Sequence, residues 1–276
     1  MTTFNSVLPC RPVHIAAWAW LALHAAALWP HGAWAARRLA DGSDDPLGLA
    51  ALAALSLWLA RAAPALRVQP QLLWLSTALG LTAAATAAWW LAPPLPAAML
   101  AALALTAHLF AWLPAGVARA PLAGLALLAL PLVASLQFYV GYPLRVFTAE
   151  LSAWLLQAAG QAAERSGTAM TVNGQLVIVD APCSGVQMAW LAYFAACAVA
   201  AFVGLRDAGF VRRLPLVGLA VLAGNLLRNS LLVGLEARPQ GLGNAWHEAI
   251  GIAVLTIVIG LTVRLMIPLQ RPGATA

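Results

Sequence analysis

Residues 179–185 read Val-Asp-Ala-Pro-Cys-Ser-Gly, and they join a polar, strand-like passage to an apolar segment at 186–205 that is long enough to cross a bilayer. This stretch predicts a membrane helix that starts beside Cys183 at the membrane surface. Asp180 can cap the helix start, and Pro182 suits its first turn. A cysteine there faces the unpaired N–H groups and the positive dipole end of the helix, which favours the thiolate. By position alone, the commoner interpretation is a small residue that fills a helix entry.

The composition is that of a membrane protein. Of 276 residues, 63% are hydrophobic and 9% are charged, whereas a soluble domain carries about 25% charged residues. We therefore expect a polytopic membrane protein with no room for a soluble domain of ordinary size. The net charge of +6 comes entirely from arginine, since the sequence has no lysine. In membrane proteins such charge mostly encodes orientation, so nucleic-acid binding is not expected.

The three cysteines do not form a disulfide framework. Cys183 and Cys197 lie on one predicted helix, about 21 Å apart at about 1.5 Å per residue, and Cys10 precedes the first apolar segment. No cluster of His, Cys, Asp or Glu has the spacing of a metal site, so neither a metal nor a cofactor is expected. The first apolar segment lacks a convincing cleavage site and is predicted to be retained.

The hydrophobic pattern predicts an all-α integral membrane protein with about eight transmembrane helices. The predicted spans are residues 13–29, 47–60, 71–91, 97–113, 122–140, 186–205, 214–235 and 248–267. Two halves follow from this pattern. Residues 1–140 form an N-terminal bundle of about five helices, and residues 141–276 form a half that contains the candidate catalytic groups.

The region between the fifth and sixth spans differs from the rest. Residues 143–165 place apolar side chains at helical spacing on one face, which predicts an amphipathic helix at the membrane surface. The apolar positions of that face are Leu144, Phe147, Leu151, Trp154, Leu155 and Ala158. Asn173-Gly174 separates two β-prone runs within residues 171–179, which is the strongest short signal for a β-hairpin. The hairpin leads directly to Cys183.

The arginines predict the orientation of the chain. Eight spans place both termini on one side of the membrane. That side holds Arg11, Arg61, Arg67, Arg119, Arg206, Arg212, Arg213, Arg264 and Arg271, and the other holds Arg37, Arg38, Arg145, Arg165 and Arg238. The first side is predicted to be cytoplasmic. The amphipathic helix, the hairpin and Cys183 then lie on the outer side.

Asn225, Arg228 and Asn229 lie inside the seventh span, near its outer end. Their i, i+3, i+4 spacing places them on one helix face. An arginine inside a span costs about 2.5 to 3.5 kcal/mol on insertion scales and usually lines a functional cavity. The alternative is that Arg228 extends to the surface as an anchor. The two asparagines favour a cavity, because they resemble fixed hydrogen-bond partners.

Trp246-His247-Glu248 opens the eighth span, and Gly251 follows one turn later. A histidine at an interface is by itself more often a tolerated polar residue than a catalyst. Here three helix ends on one side present a thiol, a guanidinium and an imidazole. These are a nucleophile, a cation for a developing oxyanion and a group that transfers protons. Together they predict acyl transfer on an amide or ester through a thioester.

These motifs resemble the exosortase/archaeosortase family of membrane-embedded cysteine transpeptidases. The resemblance lies in Cys183-Ser184-Gly185 opening a span after a short strand, Asn225-Leu-Leu-Arg228-Asn229 one span later, and His247 with Gly251 in the next. It covers residues 143–267. The earlier spans match only in being hydrophobic.

The resemblance implies roles for individual residues. Cys183 would be the nucleophile, Arg228 the transition-state cation and His247 the proton-transfer group. The supporting residues would be Ser184, Gly185, Asn225 and Asn229. Many members carry a basic residue two positions after the glycine, where this chain has Gln187, and this departure leaves the substrate and subtype open.

The resemblance also implies a substrate and a location. The substrates would be exported proteins with a C-terminal sorting signal, made of a Pro-Glu-Pro-like motif, a hydrophobic helix and a basic tail. The acceptor would be a cell-surface molecule, either a polysaccharide or a lipid-linked compound. The enzyme would be a multi-pass protein of the bacterial inner membrane, surrounded by membrane lipids, with its active site facing the periplasm or the outside.

Two other functions remain open at this point. The first is a non-enzymatic polytopic protein, such as a small transporter or a polysaccharide-assembly scaffold, in which Arg228 lines a path and Cys183 is incidental. A transporter should show broken helices and paired repeats, and the sequence shows neither clearly. The second is a membrane hydrolase that uses the same groups with water as acceptor. The acceptor site is not a motif, so the sequence does not separate hydrolysis from transfer.

Overall fold

The computed structural model describes residues 13–179, 181–237 and 243–268, and within these ranges it omits the side chains of residues 13–16, 181, 182 and 244. The described residues are mostly helical, with one small β-sheet. The chain forms two compact units. The first comprises Met1–Arg37 and Ser56–Val117, and the second comprises Arg38–Leu55 and Ala118–Ala276. The predicted catalytic half lies wholly within the second unit.

The first unit is built on apolar helices with small residues at their contacts. The helices from the start of the chain are α1 (Val13–Ala27), α2 (Trp29–Ala40), α3 (Gly48–Ala62), α4 (Leu72–Leu91) and α5 (Pro94–Trp112). The boundary between the units falls within α2 and α3. Ala85, Ala101 and Ala104 are buried together with Leu28, and such small residues let helices approach closely.

The second unit contains the remaining helices and the sheet. Its elements are α6 (Ala120–Leu128), α7 (Val133–Leu136), a π-helical turn (Gln137–Gly141), α8 (Tyr142–Ala158), β1 (Ala163–Ser166), β2 (Ala169–Val172), β3 (Gln175–Ile178), a 3-10 turn (Ala181–Ser184), α9 (Val186–Val203), α10 (Asp207–Glu236) and α11 (Asn244–Met266). Helices α9, α10 and α11 pack against one another, and α6 packs on α9. Helix α8 lies against α10.

The chain is a multi-pass membrane protein, but the predicted count of eight spans is not confirmed. Among the described residues, six helices are long and apolar enough to cross a membrane. They lie at Gly48–Ala65, Leu72–Leu91, Pro94–Trp112, Val186–Val203, Asp207–Glu236 and Ala245–Met266. A bent pair of helices, Ala120–Leu128 and Val133–Ala158, would make a seventh. The first predicted span corresponds to α1, whose described apolar part, Ala17–Ala27, is shorter than these helices.

The fifth predicted span, residues 122–140, is not one straight helix. Helix α6 ends at Leu128, and the helix that starts at Val133 is bent from it by 86°. Pro131 lies in the break. Proline lacks the N–H that a helix needs, and it disfavours the helical conformation of the residue before it. The chain therefore turns where the hydrophobic pattern alone predicted continuity.

The predicted amphipathic helix at 143–165 is helical only as far as Ala158, because residues 163–166 form strand β1. Its contacts with the protein come mainly from small side chains, which include the buried Thr148, Ala149 and Ser152. Leu156 is buried with them, whereas the aromatic residues point outward, with Phe147 49% and Trp154 62% exposed. In a membrane protein an outward apolar face contacts lipid. One face of α8 therefore packs on the protein, and the other faces the hydrocarbon of the membrane.

The sheet contains the predicted hairpin and one strand that was not predicted. The three strands are antiparallel in the order β1-β2-β3. Val172 pairs with Gln175, so Asn173-Gly174 forms the expected two-residue turn. Both turn residues have positive φ, 50° and 82°, as a type I′ turn requires. Arg165 on β1 forms an ion pair with Glu150 on α8, which fastens the extra strand to the helix.

Candidate active site

Cys183 lies in its own turn before α9. The 3-10 turn Ala181–Ser184 is followed by Gly185, which has φ +79°, and α9 starts at Val186. The cysteine is therefore separated from the helix by a residue in the left-handed conformation, rather than placed in the first helical turn. Asp180, the predicted cap, lies outside the described residues. The Ser184 hydroxyl accepts a hydrogen bond from the Val186 N–H at 3.3 Å and so satisfies the first backbone donor of α9.

Ser184 also links this turn to the π-helical turn. Its hydroxyl donates to Oε1 of Gln137 at 3.0 Å, and Ser184 is only 3% exposed. Sequence reasoning missed Gln137, because it was counted as part of an apolar span. The signal was present, since an amide between Leu136 and Phe138 in a predicted span needs a partner.

Two asparagine side chains hold the backbone of Cys183. Nδ2 of Asn225 and Nδ2 of Asn229 donate to the Cys183 carbonyl oxygen at 3.0 and 3.2 Å. Both asparagines are buried, with 4% and 1% exposure. The Asn225 amide also reaches Oγ1 of Thr148 on α8 at 3.3 Å, a second partner that the sequence did not indicate. The predicted asparagine pair therefore supports the cysteine turn directly.

This arrangement depends on a glycine next to the cysteine. A Cβ atom added to Gly185 would lie 2.8 Å from Cγ of Asn225, which is too close for any side chain. Glycine is required here twice, because φ is positive and because the asparagine amide packs against the backbone. The backbone of the Cys-Ser-Gly turn thus packs directly against the Asn225 side chain on α10.

Arg228 and His247 line one cavity of about 290 Å³. Its walls come from the first turns of α9 and α11 and from α10. The lining residues are Gln187, Met188, Leu191, Arg228, His247, Glu248, Gly251, Ile252 and Leu255. Four of these side chains are polar, and Glu248 and Gln187 were not assigned to the site from the sequence.

Gly251 provides room for the arginine. A Cβ atom added to Gly251 would lie 3.3 Å from Nε of Arg228, closer than an ordinary van der Waals contact. The arginine head group therefore lies directly over the α11 backbone, one turn after His247. This is a packed position inside the helix bundle, which favours a cavity role for Arg228 over that of a surface anchor.

The structure brings together two of the three predicted catalytic side chains. Cys183 is not among the described residues that line the cavity. It is partly buried and packs against the apolar cluster beneath the sheet, which includes Met170 and Val233. Its carbonyl is nevertheless held by the residue immediately after Arg228, and α9 supplies cavity residues from Gln187 onward. The convergence of all three groups stays a prediction.

The comparison with protein families matches most of the chain. The family described as Transmembrane exosortase (Exosortase_EpsH) matches residues 34–264, which include every residue of the candidate site. No curated protein and no solved structure matches the chain.

Gly185→Ala is expected to destabilise the protein more than Gly204→Ala. Both glycines have positive φ, +79° and +69°, so each substitution carries backbone strain of about 1 to 2 kcal/mol. Only the Cβ at position 185 also collides with Asn225, and such overpacking typically costs about 1 to 3 kcal/mol more. Thermal unfolding of the two purified variants in detergent measures the difference. Equal losses of stability would show that the contact between Gly185 and Asn225 is unimportant.

Proposed function

The chain belongs to the transmembrane exosortase family, and from this premise we propose that it is a membrane-embedded cysteine transpeptidase. In this proposal it cleaves the C-terminal sorting signals of exported proteins and transfers them to a cell-surface acceptor. One observation carries the proposal beyond family membership. The turn with Cys183 is fastened by two amides to the helix that bears Arg228, and Arg228 shares a cavity with His247.

The first half of the proposed reaction forms a thioester. The Cys183 thiol gives its proton to His247, and the thiolate sulfur attacks the carbonyl carbon of the scissile peptide bond, whose oxygen becomes an oxyanion. Arg228 stabilises this charge, since its planar guanidinium presents aligned donors to the oxyanion. The C–N bond then breaks, and His247 gives a proton to the leaving amine. The sorting helix departs, and the exported protein remains bound to Cys183.

The second half transfers the exported protein to the acceptor. A hydroxyl or amine of the acceptor loses its proton to His247 and attacks the thioester carbonyl. The C–S bond breaks, and Cys183 returns as a thiolate. If water takes the place of the acceptor, the same steps give hydrolysis. A product linked to the acceptor, rather than a free C-terminal acid, therefore distinguishes transfer from cleavage.

Ser184, Gly185, Asn225 and Asn229 act as positioning residues in this mechanism. They contact the turn that carries the nucleophile, and none needs to touch the substrate. Hydrogen bonds at both Cys183 and Ser184 fix the turn before substrate arrives. Such preorganisation matters because a misplacement of about 1 Å can lower a rate by about 10²-fold.

The arrangement of arginines supports a periplasmic active site in the inner membrane. Helices α10 and α11 are antiparallel neighbours, so the start of α10 and the end of α11 lie at the same end of the second unit. That end carries Arg206, Arg212, Arg213 and Arg264. The Cys183 turn and His247 lie at the opposite end. A positively charged cytoplasmic end then places the candidate site on the outer face.

Cys183→Ala is expected to abolish processing, whereas Cys197→Ala is expected to retain it. Cys197 is 4% exposed in the middle of α9, where it packs against Gly124, and it lies far from the proposed chemistry. The measurement is cleavage of a co-expressed protein with a sorting-type tail, at matched levels of folded variant. Thioester trapped on Cys183 in the native protein is the second readout. Loss of processing in both variants would contradict the assignment of the nucleophile.

Arg228→Lys is expected to lower the rate of processing by about 10² to 10³, the typical cost of losing one oxyanion donor. An ammonium group keeps the charge but does not reproduce the planar pair of donors of arginine. A surface anchor, in contrast, would tolerate lysine. Single-turnover formation of the acyl-enzyme isolates this step from later transfer. A variant with nearly native rates would remove Arg228 from the proposed catalytic set.

Gly251→Val is expected to impair processing, whereas Gly260→Val on the same helix is not. Any side chain at position 251 meets Nε of Arg228, but a Cβ at position 260 has no atom within 4 Å. Both substitutions replace a glycine with valine inside the same helix, so they change helix propensity to a similar extent and the comparison isolates the displacement of the arginine. Rates of substrate cleavage at equal expression provide the test. Equal activity in the two variants would mean that the arginine adjusts without consequence.

A further inference from the structure

A second, larger groove lies along the other side of α9. Its volume is about 610 Å³, and its walls, contributed by the helices α6 to α10, are almost wholly apolar. Along α9 the groove residues Val186, Ala189, Tyr193 and Cys197 lie on one face. They extend over about 16 Å at about 1.5 Å per residue. The mechanism proposed for Cys183 uses none of these side chains.

Four arginines lie close in the chain to residues that line one end of the groove. Ala120 at the start of α6 and Phe210, Val211 and Leu214 near the start of α10 line this end. The arginines beside them in the chain are Arg119, Arg206, Arg212 and Arg213. A single acid lies among them, Asp207, and one of its carboxylate oxygens already accepts the N–H groups of Arg119 and Ala120 at 2.8 Å.

We propose that this groove binds an anionic phospholipid, with an acyl chain along its apolar walls and the phosphate at the arginine end. An apolar groove alone would accept any acyl chain, but the arginines select a negatively charged head group. The arginines match the phosphate of such a lipid, and the apolar walls match its acyl chain. They do so at the end of the unit where the arginines predict the cytoplasmic leaflet.

A transmembrane helix with a basic tail fits this groove less well. Its basic residues would meet Arg206 and Arg213 at the same membrane level, and like charges at an interface are unfavourable. At its far end the groove reaches Val186, the first residue of α9, which follows the Cys183 turn directly in the chain. A bound acyl chain would therefore brace the start of α9 without entering the cavity of Arg228 and His247.

The test compares phosphatidylglycerol with phosphatidylcholine of the same acyl chains, added to the full-length protein in a zwitterionic detergent. Native mass spectrometry counts bound lipid, and thermal unfolding reports its stabilising effect. We expect tighter binding of phosphatidylglycerol, weakened by salt. Arg206→Gln with Arg213→Gln should weaken it roughly 30-fold, since each arginine near a surface contributes about 1 kcal/mol.

Two further variants make the test specific. Arg67→Gln with Arg264→Gln removes the same charge from the predicted cytoplasmic side but leaves the groove intact, and it should bind lipid normally. Ala123→Phe fills the groove without changing any charge, and it should also lose binding. Binding does not depend on the proposed enzyme activity, so the two proposals fail independently.

Several results would overturn the lipid site. Equal binding of the two phospholipids would show that the arginines do not select a head group. Equal loss in the control double variant, or normal binding in Ala123→Phe, would place the lipid elsewhere. Full competition by glycerol 3-phosphate would indicate a head-group site without the groove. Displacement by a hydrophobic peptide with a basic tail would assign the groove to a helix instead.

Discussion

The carbonyl oxygen of Cys183, held by the amides of Asn225 and Asn229, is the contact on which the candidate site depends. In a bundle with little water, an unsatisfied backbone carbonyl costs several kcal/mol, at about the level of a buried polar group in lipid. The irregular turn that carries the cysteine is therefore stable only where polar side chains satisfy its backbone groups. The two asparagines supply them from inside a helix that otherwise reads as a membrane span.

This constraint extends outward to the neighbouring elements. Gly185 must be glycine for the asparagine to reach the turn, and Ser184 must face Gln137 because its hydroxyl is buried. Oγ1 of Thr148 on α8 accepts a second hydrogen bond from the Asn225 amide. Four helical segments and the turn are thereby connected through polar contacts within an apolar unit. Packing by small residues then lets these segments approach closely enough for such contacts to form.

The arginines of the second unit occupy two main kinds of position, one within the helix bundle and the other near the ends of its helices. Arg228 is placed in a cavity with His247 and Glu248, where its cost in the membrane is offset by polar surroundings. The other arginines of the second unit collect mainly at the end opposite the Cys183 turn. The same asymmetry that predicts orientation places arginines beside one end of the apolar groove along the chain. One rule of membrane electrostatics thus underlies both the candidate active site and the proposed lipid site.

Local patterns in the sequence were enough to predict a helical membrane protein, its family, the hairpin turn at Asn173-Gly174 and the residue types of the candidate site. These features have local signals, namely hydrophobic length, turn chemistry and i, i+4 spacing. Strand β1 and the partners of Cys183 became apparent only in the folded chain, whereas the bend at Pro131 had a local signal in the proline itself. Gln137 and Thr148 carry no motif, and their role depends on segments up to 77 residues apart along the chain. Hydrogen bonds between distant segments leave no period in a sequence, because each partner only has to be polar at one position.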